Sequence, residues 1–358
     1  MLRDSASLGN HLSLAIFAAA CQICVLVFRN HRTEGILKIV ITDYRFPDID
    51  QERRAVEAAG WTLVAGQAVS EQQVAELCRD ADAVLNARAP VTRRAIAAME
   101  RCRIIVRYGI GVDTIDVPAA TERGIYVANV PDYCLDEVSD HALALLLMLS
   151  RQMIPSIALA REDAWPVSKM PPLLRLRGQT CGLFGCGRIG SLLAGKVTAL
   201  GMRVIVHDPY LSAERAREMG AELVSFDELL ARADFISLHA PLTDETHHLF
   251  GAAAFAKMKK TASLINTARG GLIDEAALLA TLDAGQISGA GLDVVESETA
   301  VTPVRTALVR HPKIIVTAHT AWLSRDARLT LQLRAIEQAL ACLRGERPYG
   351  LINRDLAK

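Results

Sequence analysis

Three segments of this chain each run from apolar, β-rich residues into a side chain able to do ionic or acid–base chemistry. INTARGG places Arg269 after such a run, GLDVVESE offers Asp293, Glu296 and Glu298, and VTAHTAW offers His319. A guanidinium can bind a carboxylate and polarise a carbonyl, and an imidazole can give or take a proton near neutral pH. A carboxylate beside that imidazole favours its protonated form. Hydride transfer at a hydroxyl-bearing carbon needs these three types. Singly, each also fits a duller role: a cation at a helix start, a solvated loop charge, a turn histidine. Their coincidence at strand carboxyl ends, where open α/β sheets bind ligands, points to one site.

A fourth segment supplies a partner for that chemistry. GLFGCGRIG holds Gly185, Gly187 and Gly190 in a GxGxxG that follows an apolar run and opens the helical pattern RIGSLLAGKVTALG. In that context the first glycine permits a tight turn, the second lets backbone approach a pyrophosphate, and the third allows close helix–sheet packing. Arg188 and Ile189 begin the helix, whose amino terminus faces the anion. Asp208 ends the next β-rich run, 23 positions after Gly185 (208 − 185). There a carboxylate can accept hydrogen bonds from both adenosine-ribose hydroxyls and would repel a 2′-phosphate. NAD is therefore expected rather than NADP.

The elements that must position these residues are legible as alternation. KIVITD (38–43), TLVAG (62–66), AVLNA (83–87), RIIVRYG (103–109) and GIYVANV (124–130) alternate with amphipathic helical stretches. A second series has TCGLFG (180–185), RVIVHD (203–208), ELVSF (222–226), FISLHA (235–240), ASLINTA (262–268), GAGLDVV (289–295) and KIIVTAH (313–319). Strands alternating with helices imply right-handed crossovers and parallel sheets, so the expected fold class is α/β with two doubly wound domains. Between the series lies an apolar helix over 135–153, expected to be buried in a core or a subunit interface. An irregular connection over 154–179 follows, with Pro155, Pro166, Pro171 and Pro172, and a long helix over 324–345 closes the chain.

Composition bounds the rest. With 358 residues, 51% of them hydrophobic, the chain can bury two ordinary cores, and its 40 basic and 40 acidic residues give no global attraction for nucleic acid. Tyr108, Trp322 and Arg88 could stack on bases, but no basic stripe accompanies them. Eight scattered cysteines suit reduced thiols and a cytoplasmic location, and the CxxC of Cys21 and Cys24 lacks a second ligand pair for zinc. Neither do His247 and His248, with His239 nearby, make a metal site by themselves, because zinc needs spaced ligands; no metal is expected. The run LSLAIFAAACQICVLVF (12–28) falls short of a bilayer span. Only Arg3 precedes it, balanced by Asp4, which is not the charge pattern of a signal peptide. Residues 1–36 are expected to be an extension outside the fold, and the recognisable domain begins near Leu37.

The segments RYGIGVDTIDVPAATERGIYVANVP, HALALLLMLSR, GLFGCGRIG, LHAPLTDETHHLF, INTARGGLIDEAAL, GLDVVESE and AHTAW stand in the order of the D-2-hydroxyacid dehydrogenases, and the chain resembles that family over residues 37–350. RIIVRYGIG, VVESE and HTAW are most similar to its C-terminal-binding-protein branch, many bacterial relatives of which are labelled phosphoglycerate dehydrogenases. The resemblance implies a Rossmann NAD domain over 132–324 and a flavodoxin-like substrate domain over 37–131 and 325–358, with a cleft between them. It implies that Arg269 holds the substrate carboxylate and polarises the carbonyl, and that His319 is the proton donor and acceptor. The family sets its glutamate 29 positions after its arginine, which selects Glu298 (298 − 269) over Glu296 as the partner of His319. By the same resemblance Asp293 binds the nicotinamide carboxamide, and Ala240, Thr246 and Thr267 line the cofactor cleft. Arg88, Arg107, Tyr108, Gly109 and Trp322 are expected around the substrate, a small 2-hydroxy or 2-keto acid.

Two departures bear on loop rigidity: Thr299 and Ala318 stand where the family usually has prolines. The resemblance further implies a homodimer built on the apolar helix and the connection after it. Two alternative activities follow from the branch, an NADH-binding corepressor and a 3-phosphoglycerate dehydrogenase, for which Arg88 and Arg107 are the phosphate-binding candidates.

Overall fold

A computed structural model describes residues 36–357 except 163, 164, 166, 167, 169, 171, 172 and 174. The extension expected over 1–36, with its CxxC and apolar run, thus lies outside the described residues apart from Ile36. So do Pro166, Pro171 and Pro172 of the expected irregular connection.

Each β-rich run of the sequence forms a strand: β1 (Lys38–Ile41), β2 (Thr62–Ala65), β3 (Ala83–Asn86), β4 (Ile104–Arg107), β5 (Tyr126–Ala128), β6 (Thr180–Phe184), β7 (Arg203–His207), β8 (Ala221–Leu223), β9 (Phe235–Leu238), β10 (Ser263–Asn266), β11 (Gly289–Leu292) and β12 (Ile314–Val316). They make two parallel sheets, ordered β2-β1-β3-β4-β5 and β12-β11-β10-β9-β6-β7-β8. The first order is flavodoxin-like, and the second is that of a dinucleotide-binding fold with one added strand.

Strand residues of the first sheet alternate between two cores. Ile39, Ile41, Leu85 and Val106 pack under the terminal helix Arg325–Leu343 through Leu331, Ala335 and Ile336, while Val40, Val84 and Ile105 face the other layer. The second sheet is likewise covered on both faces, which is why its strands are almost continuously apolar. On β11, Gly289 and Gly291 leave room for the helix Leu135–Ser150: a Cβ added at Gly291 would lie 3.0 Å from Leu145 Cβ, and one at Gly289 would lie 3.2 Å from Leu149.

Two expectations are corrected. The helix read over 135–153 stops at Ser150, because Gln152 adopts a left-handed conformation (φ 49°), and a second helix, Met153–Arg161, occupies the start of the stretch read as irregular. ELVSF is strand only in part, since Ser225 caps the helix Phe226–Arg232 in a reciprocal capping box with Glu228 that draws the chain out of the sheet. No single described helix is long and apolar enough to cross a membrane. Leu135–Ser150 and Met153–Arg161 would suffice together but meet at a 60° bend.

Candidate active site

The glycine-rich turn between β6 and the helix Arg188–Ala199 has the shape that its sequence requires. Gly185 sits at φ +82°, and a Cβ there would come within 2.8 Å of the Ala240 backbone nitrogen; a Cβ at Gly190 would come within 2.9 Å of the Gly185 carbonyl oxygen. At Gly187, the N-cap, a Cβ would meet nothing within 4 Å, and no side chain caps the helix. The amino terminus of this 12-residue helix thus carries no side-chain cap among the described residues, which suits a pyrophosphate. Arg188 is exposed beside it, and Ile189 packs against the cluster of Cys134, Val138, Ala321 and Ala327. Asp208 follows β7, its two carboxylate oxygens accepting from the backbone N–H groups of Cys186 (2.8 Å) and Tyr210 (2.9 Å). The carboxylate is thereby oriented at the strand end with lone pairs to spare for ribose hydroxyls.

Thr267, just past β10, is buried, and its hydroxyl has no hydrogen-bond partner among the described residues, an atom that calls for a ligand contact. Ala240 presents its backbone against Gly185. The Thr246 hydroxyl donates to the Pro241 carbonyl (2.8 Å) and accepts from Thr243 N–H (2.8 Å), so it braces its own loop. Burial pushes the neighbouring His239 imidazole down to about 4, which keeps it neutral beside the nucleotide cleft.

At the other end of the cleft, His319 Nδ1 lies 2.7 and 2.9 Å from the two carboxylate oxygens of Glu298. At these distances Nδ1 carries the proton and donates it. Nε2, which makes no hydrogen bond among the described residues, is the nitrogen left for proton exchange with a ligand. His319 has φ +55°, rare outside glycine. The loop is held in that conformation by Asp293, which accepts from Thr317 Oγ1 (2.5 Å), Thr320 N–H (2.9 Å) and Ala321 N–H (2.9 Å), while the His319 amide donates to the Asp293 carbonyl (2.8 Å). Asp293 is 1% exposed, so the structure gives it the positioning of the histidine loop, a task its sequence context did not announce. Glu296 faces away from His319 and contacts His248 at 3.0 Å.

Arg269 is anchored from the opposite sheet. Its Nε donates to Asp113 at 2.7 Å and Nη1 to the Ala268 carbonyl at 2.7 Å, and a Cβ on Gly111 would overlap its guanidinium. Arg88, also from the first sheet, pairs with Glu298 (2.8 Å) and lies 3.2 Å from His319 Nδ1. Since Nδ1 already donates to Glu298, the contact of Arg88 is with the carboxylate charge. Burial raises the Glu298 pKa, but the His319 hydrogen bond and the charges of His319, Arg88 and Arg269 outweigh it and hold the carboxyl below its ordinary range. Asp43, at the end of β1, fixes Arg88 by accepting from the backbone N–H groups of Ala87, Arg88 and Ala89.

Arg107 hydrogen-bonds the Tyr108 carbonyl oxygen, its buried Nε has no partner, and a Cβ at Gly109 (φ +144°) would lie 3.1 Å from its guanidinium. Burial, with Arg269 and Arg88 nearby, lowers Arg107 to about 10. Trp322 stacks obliquely near Tyr133 at 6.0 Å. The Tyr108 side chain points into the first core: its ring packs on Phe46 and its hydroxyl donates to Glu52 (2.8 Å). Only its backbone remains available to the cleft. Sequence reasoning missed Asp113 and Asp43. Asp113 lay inside a quoted segment without a role, and Asp43 closed the first β-rich run, where a strand-end carboxylate is itself a signal.

Fold and site together define a two-domain oxidoreductase with a dinucleotide cradle facing a histidine–carboxylate pair. Comparison with known proteins fixes the class more narrowly. Residues 143–321 match the family described as D-isomer specific 2-hydroxyacid dehydrogenase, NAD binding domain. The chain is 36% identical to a glyoxylate reductase of Korarchaeum cryptofilum over 81% of its own length and 88% of that protein's. A D-3-phosphoglycerate dehydrogenase of Methanocaldococcus jannaschii is 38% identical over 89% of this chain but 60% of its own length, so this chain spans only part of that protein. The solved D-lactate dehydrogenase of Aquifex aeolicus, with NAD and lactic acid bound, superposes with a TM-score of 0.81 at 27% identity, covering 86% of this chain and 96% of that one. The chain belongs to the D-isomer-specific 2-hydroxyacid dehydrogenase family. It is an oxidoreductase of CH–OH groups, its cofactor is NAD, and the cradle of Gly185, Gly187, Gly190, Asp208 and Thr267 fits that dinucleotide.

Proposed function

We propose that the chain interconverts a small 2-keto acid and its D-2-hydroxy acid. The observation that carries this reading is the 2.7 Å pair of His319 Nδ1 and Glu298, set between the dinucleotide cradle and the Arg269 anchor. Bound NADH supplies the hydride. Arg269 binds the carboxylate and polarises the carbonyl, with Asp113 holding its Nε and the Ala268 carbonyl its Nη1 so that Nη2 can meet the substrate. His319 Nε2 donates a proton to the carbonyl oxygen in reduction and removes it in oxidation, while Glu298 fixes the tautomer. Asp293 holds the loop of His319 and binds the nicotinamide carboxamide from that position. Arg188, Ile189, Ala240 and Thr246 border the nucleotide, and Arg107, Gly109 and Trp322 border the substrate.

A second reading, oxidation of a phosphorylated hydroxy acid, is favoured by one observation: Arg88, Arg107 and Arg269 are close enough to lower the Arg107 pKa. The deciding experiment is NADH oxidation over a panel of 2-keto acids including glyoxylate and pyruvate, alongside NAD reduction with 3-phosphoglycerate. His319→Ala should cut kcat/KM by roughly 10²–10⁴ while NADH still binds. Tight NADH binding without turnover of any substrate would refute the enzymatic reading in favour of an NADH-responsive regulatory protein.

We assign residues 37–131 and 325–358 to the substrate domain and 132–324 to the NAD domain, with hinge closure at the two crossings. A cytoplasmic location is supported by the six described cysteines, which are all buried and unpaired. A homodimer is supported by the helix Met153–Arg161, which buries none of its residues and exposes Met153, Ile154 and Ile157.

A further inference from the structure

The adjacent histidines His247 and His248 lack a spaced ligand in sequence, yet the fold supplies one 48 positions away. His248 Nε2 lies 3.0 Å and His247 Nε2 3.7 Å from the same carboxylate oxygen of Glu296, and the three donor atoms all lie within 4.8 Å of one another. A tetrahedral zinc ion with bonds of about 2.0–2.1 Å needs donors about 3.3 Å apart, which these separations bracket. The two imidazoles stack at 3.9 Å with 22° between their planes, so one ring must rotate about its side-chain bonds to bring both Nε2 lone pairs onto a single ion.

Both halves are held by backbone. The His247 amide donates to the Thr243 carbonyl (2.9 Å) and the His248 amide to the Gly271 carbonyl (2.8 Å), with His248 at φ +51°. Glu296 N–H donates to the Glu275 carboxylate (2.7 Å), and a Cβ on Gly270 would collide with the Glu296 backbone. Three ligands are thus presented without rearrangement of the chain, at side chains 36–51% exposed, which leaves a fourth position to water. We propose that His247, His248 and Glu296 form a binding site for a divalent cation of the zinc class. The ion would tie the loop of Thr246 to the loop that leads to Glu298.

The test is zinc titration of the full chain against a competing chromophoric chelator, in a Cys21→Ser, Cys24→Ser background that removes the other candidate ligands. One equivalent should bind with a Kd on the order of 1 μM or tighter. His248→Gln and Glu296→Gln should each weaken it at least about tenfold, and zinc should raise the Tm of the parent but not of the variants. Cobalt substituted for zinc should show d–d bands without thiolate charge transfer. Absence of stoichiometric uptake, uptake unchanged in both variants, or a thiolate signature would each overturn the proposal. Because no readout depends on turnover, failure here is distinguishable from failure of the dehydrogenase reading.

Discussion

At the scale of single residues, the site works through pairs in which one member holds the other. Asp113 fixes Arg269 through Nε, and the Ala268 carbonyl holds Nη1, which leaves Nη2 to the substrate. Asp113→Asn should raise the KM for the keto acid about tenfold, roughly 1.4 kcal/mol, with kcat nearly unchanged. A comparable fall in kcat with KM intact would show that the pair acts in the transition state instead. Two titrating groups give the fold a common pH sign. His239 is held neutral at about 4 against 6.5 in the unfolded chain, so its stabilisation is complete above about pH 6.5 and is lost as pH falls towards 4. Glu298 is held below its ordinary value of 4.5, so its contribution is present above that value and disappears as pH falls through the lowered one. His239→Gln should therefore lose less stability than the parent between pH 6.5 and 4, measured by urea midpoints; parallel slopes would contradict this.

At the scale of elements, glycines decide how closely layers approach. The helix Leu135–Ser150 sits on β11 because Gly289 and Gly291 carry no side chain against Leu149 and Leu145. Gly291→Val should cost about 1–3 kcal/mol by overpacking and lower the Tm by roughly 2–10 °C, with little change in KM because the contact is remote from the cleft. Thermal melts of purified variants settle it. The break after Ser150 was not legible, since Arg151 and Gln152 carry no glycine or proline and the left-handed Gln152 is imposed by how the following helix leaves the fold. Strand positions were legible, because parallel strands buried on both faces must be nearly continuous apolar runs.

For the whole molecule, the site exists only where two sheets meet. Arg88 and Asp113 come from the first sheet, and Glu298, His319 and Arg269 from the second, joined by ion pairs of 2.8 and 2.7 Å. The helix Met153–Arg161 exposes Met153, Ile154 and Ile157. Ile154→Asp with Ile157→Asp should convert a dimer to a monomer in sedimentation velocity, and a parent chain that sediments only as a monomer would refute the assembly.

The sequence by itself determined the α/β class, the twelve strands, the dinucleotide turn and the residue types of the catalytic set, because hydrophobic period and glycine placement are local constraints. It narrowed the carboxylates near His319 to a spacing argument; the structure sets Glu298 against the imidazole and Glu296 against His248. Tertiary structure alone decided that Tyr108 turns into the core, that Asp293 holds a loop, that Asp113 and Arg88 reach across the cleft, and that Glu296 meets two histidines. Those outcomes depend on contacts between residues 24 to 231 positions apart, which no local pattern encodes.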